Sequence, residues 1–312
     1  MSDRVPPHLY FVLSAIFHYL GPAFAVLLFV RVDVLGVAWL RIASAALVFA
    51  LWRRPWRAFA VLDRSGRELL FAWGAVLAVM NACFYVAIDR LPLATVAAIE
   101  FLPVIALAAL GARSGRNAAA LALAVAGVYM LTGVHLEGEP LGVALAFANA
   151  GLFAAYIVLA HRVSRSGALS GIDGLAASML IAAVVVTPIG GWQAIPAFSD
   201  PVALLAGLGV GICSSVIPYV SDQLAMRRLP RATYALMVSL LPATATVIGI
   251  VVLTQIPSAT DLAGVALVIA GVALHREPPE PIPQSARAER AGPPAPASSR
   301  AEPARRHSEA AL

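Results

Sequence analysis

An all-α integral membrane protein of ten transmembrane helices, built as two inverted five-helix repeats, is the fold class that the sequence predicts. Three observations point to it. Hydrophobic residues make up 60% of the chain and charged residues only 12%, about half the share of roughly 25% usual in soluble domains. All 22 basic residues are arginine, and fifteen of them flank ten apolar stretches at their ends, thirteen of these at alternate junctions. The second half of the apolar region also repeats features of the first. A formal charge of +5 would suit nucleic-acid binding in a soluble chain. Here the arginines occupy short loops and a tail rather than one helical face, so no nucleic-acid partner is expected.

A hydrocarbon core about 30 Å thick needs roughly 20 residues of helix at 1.5 Å each. The first such stretch, Leu9–Val30, lies between Arg4 and Arg31. Ala23-Phe24-Ala25 within it resembles a signal-peptide cleavage site, but the apolar run continues past that point, so a retained span is expected. The second, Val34–Trp52, ends at Arg53 and Arg54, and the third, Glu68–Ile88, runs from Arg67 to Arg90. The fourth, Leu91–Ala112, ends at Arg113, and the fifth, Asn117–Val134, follows Arg116. The sixth, Leu141–His161, ends at Arg162, the seventh is Ile172–Trp192, and the eighth, Pro201–Met226, ends at Arg227 and Arg228. The ninth, Arg231–Thr254, and the tenth, Ala259–His275, complete the set. Arg31 and Arg90 alone fall on the arginine-poor side. Positively charged short loops stay in the cytoplasm during insertion, so both termini are expected inside, which requires an even number of spans.

Residues 276–312 hold eight prolines, six arginines and five glutamates without apolar periodicity, the composition of a disordered cytoplasmic tail. The membrane region divides into one repeat over 9–134 and a second over 141–275. Its clearest internal likeness sets Arg90-Leu91-Pro92-Leu93-Ala94-Thr95 against Arg228-Leu229-Pro230-Arg231-Ala232-Thr233, each followed by a proline, Pro103 and Pro242. Phe17 and Gly21 correspond more weakly to Phe147 and Gly151. An odd number of spans per repeat turns the second copy upside down, an arrangement found in transporters whose substrate site lies near the midplane.

Ionisable groups at membrane depth cost roughly 2.5–3.5 kcal/mol each on insertion scales, so those present need a partner or a task. Arg41 in the second span and Glu100 in the fourth lie about 11–14 Å from the outer end of their helices, and His18 in the first lies at similar depth. Two readings of Arg41 and Glu100 stand side by side: a pair that neutralises itself, or a site where a zwitterion's carboxylate meets the guanidinium and its ammonium the carboxylate. Glu100 is also a candidate proton carrier, since burial and a nearby arginine push a carboxyl in opposite directions. His18 precedes Gly21-Pro22, where a proline kink frees carbonyls to line a cavity.

Asn81, Tyr85 and Tyr219 are further candidates for the substrate-binding wall, with Asn149 and Tyr156 in the sixth span behind them. Ser215 is assigned to interhelical hydrogen bonding, Asp222 to the interface beside Arg227 or Arg228, and Trp39 and Trp73 to packing or lipid contact. Pro22, Pro103, Pro218 and Pro242 are places where helices could bend. No cofactor or metal is expected. Cys83 and Cys213 have no ligand spacing, and His135, Glu137 and Glu139 share a loop without helical spacing. Ser214 and Ser215 lack the surroundings of a hydrolase nucleophile, and His18 has no second histidine at depth to hold a haem. An enzyme is therefore not expected.

Several stretches together resemble the EamA-type transporters of the drug/metabolite transporter superfamily, and within it the threonine and homoserine exporter branch. They are Gly36-Val37-Ala38-Trp39-Leu40-Arg41, Pro55-Trp56-Arg57 in the following loop, Asn81 to Tyr85, Leu91-Pro92, Ile99-Glu100-Phe101-Leu102-Pro103, Tyr156 with Arg162, and Leu229-Pro230 through Thr233 to Pro242. The resemblance covers Leu9 to His275. It implies ten helices in two inverted repeats and export of small metabolites, possible amino acids among them, across the inner membrane. Leu241 and Gln255 stand where that branch carries acidic residues.

Overall fold

The computed structural model describes residues 6–111, 114–135, 139–165, 169–226 and 240–274, and no strand occurs among them. Helix α1 (Pro7–Leu28) opens with proline at its first position, where the missing N–H costs nothing, and carries Pro22 in its interior. Helix α2 (Val34–Arg53) closes on Arg54 in the left-handed conformation, φ 50°. Pro55-Trp56-Arg57, expected as loop, instead opens a short helix, α3 (Trp56–Val61). Pro55 at φ −59° is already set for a helical turn, and that turn buries Ala58. Helix α4 (Arg64–Arg90) begins a turn earlier than expected because the Asp63 side chain accepts from the Gly66 N–H at 2.8 Å.

Next come α5 (Leu93–Gly111), α6 (Gly115–His135), α7 (Pro140–Arg165) and α8 (Gly171–Val186), the last running into a π turn over Thr187–Gly191. The eighth expected span is one helical run with a π turn inside it. Helix α9 (Pro201–Gly211), capped by the Asp200 carboxylate, passes through a π turn at Ile212–Val216 into α10 (Ile217–Met226). Helices α11 (Leu241–Leu253) and α12 (Ala259–Leu274) complete the described chain. Pro242 stands in the first turn of α11, where it interrupts no hydrogen bond, so no mid-helix break arises from it there. The start of the expected ninth span, the second copy of the Arg-Leu-Pro repeat, Arg227, Arg228 and the tail at 276–312 lie outside the described residues.

Among the described residues, six helical stretches are long and apolar enough to cross a membrane: α1, α2, α4, α7, α8 with its π turn, and the α9–α10 run. Four shorter apolar helices, α5, α6, α11 and α12, occupy the positions of the other expected spans. The protein is a multi-pass membrane protein. Side chains such as Val184, Leu205 and Val251 remain more than half exposed on these apolar helices, as lipid-facing surface should.

Helix α1 packs on α9, α10 and α11, and α4 packs on α7 and α8. Helix α2 lies against α8 and α9, α5 against α6, α7 and α11, and α12 against both α6 and α11. Polar contacts tie the helix ends. Arg31 pairs with Asp200 at 2.8 Å, Arg90 with Glu139 at 3.4 Å, and Gln255 Oε1 accepts from the Leu93 N–H at 3.1 Å. At other ends, Arg53 pairs with Asp173 at 2.7 Å and the Arg116 guanidinium donates to the Leu274 carbonyl at 2.6 Å. Each contact joins two segments that the arginine pattern assigns to one face, and both arginines of the arginine-poor face are neutralised by a carboxylate.

Two large apolar clusters form the interior. One contains Leu40 of α2 and Phe84 of α4, and the other contains Ile42 and Met80 of those same helices. Arg41 and Asn81 therefore lie where one cluster gives way to the other.

Candidate functional site

Arg41 is 6% exposed, so its N–H groups must find partners inside the bundle. Nε donates to Ser215 Oγ at 3.1 Å and Nη2 to the Ser214 carbonyl at 3.2 Å, both in the π turn between α9 and α10. The Ser214 carbonyl is available for a reason legible in the chain. Four residues on stands Pro218, which has no N–H to offer it. Tyr85 completes the setting, its ring centroid 5.4 Å from the Arg41 guanidinium carbon, a cation–π distance.

Glycines permit this approach. A Cβ on Gly211 would lie 2.6 Å from the Arg41 carbonyl oxygen and would overlap Ser44 Oγ. One on Gly21 would lie 2.7 Å from the Ser214 nitrogen. Two turns earlier, helix α1 is held to α10 where Ser14 Oγ donates to the Pro218 carbonyl at 3.2 Å.

Glu100 in α5 is equally buried at 6% exposure, and its Oε1 accepts from Asn149 Nδ2 of α7 at 3.2 Å. Asn149 is wholly buried, and its own Oδ1 has no hydrogen-bond partner. No direct Arg41–Glu100 ion pair is formed among the described residues. Each charge is held by neutral groups instead.

Between them lies a cavity of about 40 Å³ whose polar wall is His18, Arg41, Asn81, Glu100, Asn149 and Tyr219, completed by Pro22, Met80, Phe84 and Phe153. Helices α1, α2, α4, α5, α7 and α10 each contribute. Asn81 also returns a hydrogen bond to the Leu77 carbonyl at 2.8 Å. Tyr85 lies fully buried beneath Arg41 rather than on the cavity wall. Tyr156 is away from it too, packed on Trp73 with centroids 5.6 Å apart and stacked on Phe153 at 6.3 Å. Trp73 is a buried packing residue, and Trp39 Nε1 donates to Thr187 Oγ1 at 2.9 Å. Ser215 does make an interhelical hydrogen bond, and its partner is Arg41.

Sequence reasoning passed over the Ser214 carbonyl and the glycines facing it. The Gly207-x-x-x-Gly211 spacing is the signal that could have found the second of these, since small residues four apart let membrane helices approach closely. The Pro218 offset of four could have found the first.

A small cavity lined by polar side chains from six helices, inside an otherwise apolar bundle, is the anatomy of a membrane transporter. The chain belongs to the EamA-like transporter family, whose sequence profile matches residues 140–276. The threonine/homoserine exporter RhtA of Salmonella typhimurium (strain LT2) is 33% identical over 267 residues, 83% of this chain and 88% of that protein. Its namesake in Escherichia coli (strain K12) is 33% identical over 254 residues, 80% of this chain and 84% of the relative. A solved crystal structure shares the fold, with a TM-score of 0.55 and 18% identity over 92% of this chain and 99% of the other. The family is one of transporters, not enzymes.

Proposed function

We propose that this protein exports a small zwitterionic metabolite, of the class of threonine and homoserine, across the inner membrane by alternating access coupled to protons. The observation that carries the reading is that Arg41 and Glu100 border one cavity without pairing with each other. A buried cation and a buried carboxylate left apart by neutral partners can take the two ends of an amino acid, the guanidinium meeting the carboxylate and Glu100 the ammonium. His18, Asn81 and Tyr219 would bind the remainder of the solute, with Tyr85 supporting the guanidinium and Tyr156 backing the wall through Phe153. The names of the two relatives support the substrate class.

In this reading ten spans form two inverted repeats, 9–134 and 141–275, with both termini in the cytoplasm. The helix pairings support it, because they survive exchange of the halves. Replacing α1, α2, α4, α5 and α6 by α7, α8, α9–α10, α11 and α12 converts α1 on α10 into α7 on α4. It also converts α2 on α9 into α8 on α4, and α5 on α6 into α11 on α12, all of them observed pairings. The cavity of about 40 Å³ holds a few water molecules, far below the roughly 300–1,000 Å³ of ligand sites. Loading a solute therefore requires the repeats to rock apart on one face. Glu100 alternates between a proton and the solute's ammonium, so solute leaves as protons enter.

The test is uptake of labelled threonine and homoserine into inverted membrane vesicles with and without a proton gradient. Saturable, gradient-dependent accumulation above empty vesicles is expected, with trans-stimulation that a channel would lack. Arg41→Gln and Glu100→Gln should each abolish it at normal membrane levels. Accumulation no greater than in empty vesicles overturns the reading.

A further inference from the structure

A second cavity, of about 620 Å³, opens at the arginine-rich face where the end of α2, the short helix α3 and the start of α8 meet. We infer that it binds the phosphate of an anionic phospholipid headgroup, with Arg54 and Arg57 as the ligating side chains.

Three arginines line it, Arg53, Arg54 and Arg57, against one acid, Asp173. Asp173 is already engaged: Arg53 Nη2 approaches its Oδ1 at 2.7 Å and Arg53 Nε donates to it at 2.8 Å. Arg53 also lies against the Trp52 ring, 5.5 Å from its centroid. Among the described residues, no side-chain hydrogen bond or ion pair joins Arg54 or Arg57, so two positive charges border a cavity whose only acid is neutralised. Guanidinium groups form two parallel hydrogen bonds with phosphate oxygens.

The rim specifies a lipid rather than a soluble anion. Leu51 is 78% exposed, and Trp52, Trp56 and Val61 are each more than half exposed. Tryptophan beside arginine at a helix end is the pattern of the headgroup level, where the ring sits at the interface and the cation meets anionic lipid. A soluble anion would have no use for that apolar rim. The site is separate from the polar cavity in the bundle and its test does not depend on transport.

The experiment is thermal stabilisation of the purified full-length protein in neutral detergent, titrated with dioctanoyl phosphatidylglycerol, with dioctanoyl phosphatidylcholine, or with inorganic phosphate. Phosphatidylglycerol should raise the melting temperature saturably and the other two should not. The apparent affinity should weaken about fivefold for each of Arg54→Gln and Arg57→Gln, since one basic residue near an anionic lipid is worth about that factor. Arg64→Gln removes an arginine of the same face that is 94% exposed and paired with Glu68, and should leave the titration unchanged. Equal stabilisation by the two lipids, or an unchanged titration in the double Arg54→Gln, Arg57→Gln variant, overturns the inference. Saturation by inorganic phosphate at the same midpoint overturns the lipid assignment and leaves a soluble anion as the ligand.

Discussion

Replacing Gly211 by alanine will loosen the helix pair that holds Arg41. The added Cβ meets the Arg41 carbonyl oxygen at 2.6 Å and the Ser44 Cβ at 3.0 Å, whereas ordinary contact begins at 3.4 Å. The Ser44 hydroxyl, nearer still, can rotate away, but the Arg41 oxygen belongs to the backbone of α2 and cannot, so α2 and α9 must part by somewhat under about 1 Å. Overpacking of this size costs about 1–3 kcal/mol. Gly209, in the same helix, has nothing within 4 Å of its would-be Cβ, and alanine there should stay within about 0.5 kcal/mol of the parent. The assay is reversible denaturation of the purified protein, with vesicle uptake measured in parallel. Because the displaced helix carries Arg41, uptake should fall in Gly211→Ala and persist in Gly209→Ala. Ser44→Ala should relieve the hydroxyl overlap but not the carbonyl contact, so Gly211→Ala will cost less in that background without becoming neutral. Equal stability of the Gly209 and Gly211 variants would refute the close α2–α9 approach.

Three further outcomes are expected. Asn149→Ala removes the donor to Glu100, and hydrogen bonds to charged groups are worth about 1.5–3 kcal/mol, so uptake should drop roughly ten- to a hundredfold. Quantified membrane levels should stay normal, and unchanged uptake would exclude Asn149 from the site. The Asp200 carboxyl is held below the usual carboxylate range, mainly by the Ala203 N–H and then by the Arg31 guanidinium. Its stabilisation is therefore present above the unfolded value of about 3.9 and lost as pH falls through the lower folded value. The stability gap between the parent and Asp200→Asn should be full at neutral pH and shrink in acid, and a constant gap across a pH series of denaturation curves would contradict this. Single cysteines at Arg90 and Glu139, in a background with Cys83 and Cys213 replaced by serine, should react with a membrane-impermeant maleimide in intact cells. One at Arg116 should react only after permeabilisation, and labelling of all three in intact cells would break the assignment of faces.

The order and approximate bounds of the apolar stretches were legible in the sequence alone, and the arginine pattern supplies the expectation of which ends share a face. Crossing a bilayer depends on length, apolarity and flanking charge, which are local and nearly additive along the chain. The short helix after Arg54 and the π turns were not legible, because they follow from what each turn packs against. Arg41, Glu100 and His18 could be placed at one depth by counting residues. Whether they shared a cavity could not be counted, since a membrane helix that is apolar nearly all round carries little periodicity to reveal its inward side. Only the packed bundle turned Arg41 toward the Ser214 carbonyl, set Asn149 against Glu100, and left Tyr156 outside the wall. Rotation of each helix about its axis is settled by close contacts with its neighbours, at glycines such as Gly21 and Gly211, and those contacts exist only once the helices have met.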